Sequence, residues 1–158
     1  MATIEDLVRT CVLELFAVPG DVNRLPVRPL WLSQDLIAFV DGTLVYDTEE
    51  VAGRTAYEHL EQFFVDFRCD ERLYTTDLHR MRPTIRGVWS MHPPMLRVYG
   101  WVPHPHSVVA VCAQFEKATK NDRNLNDKCR NSVLNFIKQH EVTEIFYGDV
   151  RDAFPKAT

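Results

Sequence analysis

The chain has 158 residues, 46% of them hydrophobic and 25% charged, with a formal net charge of −4. That length supports one ordinary hydrophobic core rather than two. No apolar run approaches the roughly 18 residues of a membrane span, and "MATIEDLVRTCVLELF" carries acids where a secretory signal needs a basic start, so neither membrane insertion nor export is expected.

The charge is unevenly placed. From His79 to Arg130 there are nine Lys/Arg against three Asp/Glu, a formal +6, which leaves −10 for the rest. A basic block of this kind attracts polyanions, unless folding lets the two blocks neutralise each other. The four cysteines (Cys11, Cys69, Cys112, Cys129) show no CxxC spacing and are expected to be buried, reduced thiols.

In chain order, Ile4, Leu7, Val8, Cys11 and Leu15 recur at helical spacing, which predicts a helix over 4–17 with Thr3 as N-cap and Asp6 closing a capping box. Pro19–Gly20 ends it, and prolines make the next stretch extended. "DLIAFVDGTLVYD" sets two apolar runs around Asp41–Gly42, which predicts strands at 36–40 and 43–47 joined by a tight turn. Tyr57, Leu60, Phe63, Phe64 and Phe67 mark one face of a helix firm over 55–68. A short helix over 70–81 is expected, stopped by Pro83.

The period then changes to two, predicting strands at 85–91, 95–102 and 107–115. A helix opens at Asn121 or Asp122, with Leu125, Cys129, Val133, Phe136 and Ile137 as its core face. A last strand at 144–148, "EIFYG", and a frayed tail complete the chain.

Strand alternation places Met95, Arg97, Tyr99 and Trp101 on one face, a cation beside aromatics, as a surface that clamps and stacks nucleotides would be built. A half-solvated strand with the Arg97 stem packed on Tyr99 fits the same pattern. Lys117 and Lys120 follow the third strand, and cations gathered at one phosphodiester would stabilise its pentacoordinate transition state. His92, with an ordinary pKa near neutrality, is the candidate acid/base. His104 and His106 flank Pro105, which breaks strand geometry, so a metal site with His92 is the weakest expectation and no cofactor is assigned. The phosphate-loop, dinucleotide, serine-hydrolase and zinc-protease signatures are absent.

"GVWSMHPPMLRVYGWV" followed by "SVVAVCAQFEKATK" resembles the phage-derived, HigB-like branch of the RelE/ParE toxin superfamily. Trp89 and Met91 match the aromatic and apolar positions before the first hairpin, "LRVYG" matches the arginine-bearing strand, and Phe115, Lys117 and Thr119 match its closing motif. The resemblance covers roughly 43–139, with 43–47 standing as first strand. It implies an α+β, RelE-like fold, a small antiparallel sheet packed on helices, over 43–148, with an N-terminal helical and extended extension (1–42) and a flexible tail (149–158).

The resemblance also implies a cytoplasmic toxin of a toxin–antitoxin pair, a metal-independent endoribonuclease cutting mRNA, often on the ribosome, and bound by a cognate antitoxin. By match of position, Arg97, Lys117 and His92 are its catalytic residues. Arg80, Arg82, Arg86, Tyr99, Lys120 and Arg123 would hold the RNA. Val88 and Ser90 stand where family nucleases commonly carry lysines, and the chain is acidic. Both departures favour a rival, a non-catalytic RelE-fold protein of phage or mobile-element origin that grips a protein partner.

Overall fold

A computed structural model describes residues 1–69 and 77–155. The fold is mixed α+β: a six-stranded sheet with helices against both faces. The N-terminal helix forms as its capping box predicts, but α1 runs only over Ile4–Arg9. Cys11 takes a left-handed φ of 60°. Val12 and Cys11 then donate back to the Leu7 and Val8 carbonyls, closing a Schellman stop. Released from the helix, Leu13–Leu15 becomes β1 and pairs antiparallel with β2, Leu30–Ser33.

The tight hairpin expected around Asp41–Gly42 does not form. Ser33 accepts from the Leu36 amide and starts helix α2, Gln34–Gly42, followed by a 3-10 turn at Leu44–Tyr46. A short apolar run satisfies strand and helix spacing alike, and here the cap decides. A two-stranded ribbon, β3 Glu50–Val51 with β4 Arg54–Thr55, leads into α3, Ala56–Cys69, the helix read from its aromatic face. Of the short helix expected over 70–81, residues 70–76 lie outside the described residues, and Leu78–Arg80 is instead strand β5.

The three period-two segments are strands β6 Val88–Met91, β7 Leu96–Trp101 and β8 Val108–Phe115. The sheet order is β1-β2-β8-β7-β6-β5, antiparallel throughout except that β2 runs parallel to β8. It is thus larger than the small sheet expected, because residues from the N-terminal 42 supply two of its strands. After β8 come α4, Glu116–Asn121, and α5, Leu125–Gln139. Helix α5 ends at a second Schellman stop, with Glu141 at φ 50° and Val142 donating to the Ile137 carbonyl.

Two cores sandwich the sheet. Leu36, Leu60, Phe64 and Phe67 from α2 and α3 meet Leu30, Trp89, Met91, Leu96 and Val98 on one face. Ile4, Leu7, Cys129 and Val133 from α1 and α5 meet Val88, Tyr99, Trp101 and Val109 on the other. Gly100 lets β7 and β8 close up, since a Cβ there would stand 1.8 Å from the Val109 carbonyl oxygen. The pairing then skips a residue: Tyr99 faces Cys112 while Gly100 faces Ala110, so Val111 is the extra residue of a bulge.

No strand forms at 144–148. That segment docks through single contacts, Phe146 N–H to the Val102 carbonyl at 2.7 Å and the Trp101 indole N–H to the Glu144 carbonyl at 2.9 Å. Within the tail expected to be flexible, 149–158, Val150–Ala153 instead forms a short helix, α6, and residues 156–158 lie outside the described residues. Phe154 behind it is 2% exposed, edge-on to both Phe67 and Trp89. Phe154→Ala should therefore cost about 3 kcal/mol or more in urea unfolding; a change below about 0.5 kcal/mol would mean that this contact does not hold the tail.

Candidate functional site

The sheet presents polar side chains where the cover of α5 runs out. Pairing sets His79 of β5 opposite Ser90 of β6, and Ser90 opposite Tyr99 of β7. One step along the same face lie His92, just past β6, and Arg97. The His79 and His92 rings are 4.4 Å apart between centroids, and Ser90 Oγ is 2.9 Å from His92 Nε2. The His92 amide donates to the Asp77 carbonyl at 3.0 Å, which fixes the ring's root.

Arg97 is half-buried. Its Nη1 donates to the Leu96 carbonyl at 2.8 Å, and its Nη2 lies 3.0 Å from Glu116 Oε1. The same carboxylate oxygen takes Lys120 Nζ at 2.8 Å, one helical turn along α4. Hydrogen bonding from Lys120, and then the Arg97 charge, hold the Glu116 carboxyl below its ordinary range.

Burial chiefly, then the positive charges of Arg97 and His79, push the His92 imidazole down to about 4. It is neutral at pH 7, an acceptor rather than a cation. Asp77 moves the other way, since burial raises its carboxyl while His79 opposes the shift.

Other expected site residues lie elsewhere. Lys117 is mostly exposed and pairs with Glu49 at 2.6 Å rather than with Glu116, and that hydrogen bond raises its ammonium pKa. Tyr99 is 0% exposed beneath α5, its hydroxyl donating to Asn126 at 2.5 Å, so it offers no ring face to a base. Met95, expected beside Arg97, has φ 69° and packs against the opposite core.

Arg80 donates to the Thr84 and Tyr147 carbonyls, and Arg82 offers its own carbonyl to Arg130. Together with exposed Arg86 they lie toward the Val88 end of β6, the end opposite His92. Arg123 is exposed between α4 and α5. His104 pairs with Glu144 at 3.0 Å and His106 lies edge-on to Phe154, both past the far end of β7 from His92. Among the described residues, no three His, Cys, Asp or Glu side chains gather as metal ligands would.

Sequence reasoning passed over His79, Ser90 and Glu116. His79 sits in a three-residue strand inside a stretch with helical spacing, so it carried no legible signal. Glu116 did carry one, its four-residue spacing to Lys120.

The assembled group is a neutral imidazole with a hydroxyl against it, a second imidazole, and two cations sharing one carboxylate. It can accept a proton, and it can bind an oxyanion that takes the place of Glu116. Comparison with known protein families, characterised proteins and solved structures gives no match.

The depressed His92 pKa has a signed consequence. Between pH 6.5 and about 4 the unfolded chain binds a proton that folded His92 refuses, so stability falls as pH drops through that window. His92→Asn should flatten this part of the Tm-against-pH curve relative to the parent. Parallel curves from pH 7 to 4 would show that His92 titrates as an ordinary histidine.

Proposed function

We propose that this chain is a RelE-like endoribonuclease, the toxin half of a toxin–antitoxin pair acting on mRNA in the cytoplasm. The observation that carries the proposal is the convergence of two imidazoles and a guanidinium on one sheet face, His79, His92 and Arg97. RNA cleavage by its own 2′-hydroxyl needs a base for that proton, an acid for the departing 5′-oxygen, and positive charge for the phosphorane. His92 is the base, neutral at physiological pH, with Ser90 holding its ring. His79 is the acid. Arg97 and Lys120 bind the phosphate after it displaces Glu116, so Lys120 takes the role that the resemblance gives to Lys117. The exposed arginines at the other end of β5 and β6 lie on the same edge and extend the path of the backbone. Among the described residues no helix is long and apolar enough to cross a membrane.

A second proposal is favoured by one observation: each cation near the site pairs with a carboxylate of the chain itself, Arg97 and Lys120 with Glu116, and Lys117 with Glu49. In a non-catalytic RelE-fold protein, an acidic side chain of a protein partner would replace Glu116.

Tightly controlled expression, together with cleavage in a translating extract, separates the two. The endoribonuclease arrests growth and leaves 2′,3′-cyclic phosphate ends. Arg97→Ala should lower the cleavage rate about 100-fold or more, and His92→Gln by a similar factor. Normal growth and intact mRNA with folded protein present would sink the nuclease in favour of the binding protein.

A further inference from the structure

The bulge in β8 has a second effect, on sulfur. Strand alternation would put Cys112 on the same face as Ala110, toward α2 and α3. The extra residue Val111 resets the alternation, so Val111 and Cys112 both turn toward α5. There Cys112 meets Cys129 of α5. Its Sγ is 3.8 Å from the Cys129 carbonyl oxygen, which sets the two cysteines side by side between strand and helix. Cys112 is partly exposed, Cys129 is buried, and neither is in a disulfide.

The pair is chemically uneven. The neighbouring Cys112 favours ionisation of Cys129 against the opposing cost of its burial. Cys129 in turn, together with burial, keeps Cys112 protonated.

We propose that Cys112 and Cys129 are a peroxide-sensitive dithiol, oxidised by hydrogen peroxide to an intramolecular disulfide that ties α5 to β8. The Cys129 thiolate attacks one peroxide oxygen, the O–O bond breaks, and the departing hydroxide takes up the thiol proton as water. The sulfenic acid left on Cys129 is attacked by the Cys112 sulfur. An S–S bond forms, the S–O bond breaks, and the second hydroxide leaves with the Cys112 proton. Two thiols and one peroxide become one disulfide and two waters. The two side chains must close until the sulfurs are bonded at about 2 Å. This site does not depend on the RNA proposal.

The test is peptide mapping of the full chain after hydrogen peroxide treatment and alkylation, on the parent and on a Cys11→Ser/Cys69→Ser variant. The expected result in both is a Cys112–Cys129 linked peptide and a loss of about 2 Da, reversed by dithiothreitol. In Cys112→Ser, Cys129 should instead accumulate as a dimedone-trapped sulfenic acid. Either of two outcomes overturns the proposal: single-cysteine oxidation of the parent without the link, or two unchanged thiols in folded protein under peroxide that fully oxidises glutathione. Mapping the parent keeps the test decisive if the double variant fails to fold.

Discussion

The pairing of β8 with its two neighbours is the constraint on which the rest of the structure depends. β8 has the parallel strand β2 on one side and the antiparallel strand β7 on the other, and its first six residues are packed between the two cores. Backbone groups there have no access to water, so each must find its partner in the ladder. One carbonyl left over at the bulge, that of Val111, is met by the Ser33 hydroxyl, the same group that caps α2. A single buried side chain thus fixes the start of a helix and the defect in a strand. Register on β8 in turn decides which side chains face α5, and so where Cys112 and the ladder from Tyr99 to His79 point.

How much of this was legible follows from where local signals sufficed. Strands β6, β7 and β8 announced themselves by alternation, α3 by its aromatic stripe, and α5 by Leu125, Cys129 and Val133. Each pattern is long enough to favour one period over the other. The strands expected at 36–40 and 43–47 are helix and 3-10 turn because such short apolar runs fit both periods and because the Asp41–Gly42 pair resembles a turn. The end of α1 was hidden because a cysteine rather than a glycine takes the left-handed position. β5 was lost inside a helical spacing, and His79 with it. The bulge at Val111 leaves no trace in composition, since it answers to a backbone approach at Gly100 on the neighbouring strand.

The candidate site shows the same division. Arg97 stood out in sequence as a charge in a buried strand, and it lies among the polar groups of the face. Lys117 and Lys120 could not be told apart by spacing from β8 alone. One turn apart on the short helix α4, they take different partners, Lys117 pairing with Glu49 and Lys120 with Glu116. Glu116 already sits between Arg97 and Lys120, where an anion would bind, and offsets one of their two charges. A ligand there must compete with a tethered carboxylate, so its affinity is set by a difference between two ion pairs rather than by the sum of the cations. Glu116, Asp122 and Asp127 pair with cations of their own basic block and are already counted in its +6, whereas Glu49, which the fold brings to Lys117, comes from outside it.

The parallel pairing of β2 with β8 also bears on how the chain is made. Leu30 meets Val108, and Ser33 reaches Val111, across almost half the sequence. Contacts of such separation close late, because the entropy of the intervening loop is lost before the contact gives anything back. On a ribosome, β1, β2 and the apolar face of α2 emerge long before β8 exists to receive them. Until then Leu30 and Leu32 face solvent on an unpaired strand edge and Leu36 on an uncovered helix face, the species most prone to wrong association. For this fold the vulnerable interval lies during synthesis, and it ends only when the ribosome has released the strand at Val108–Phe115.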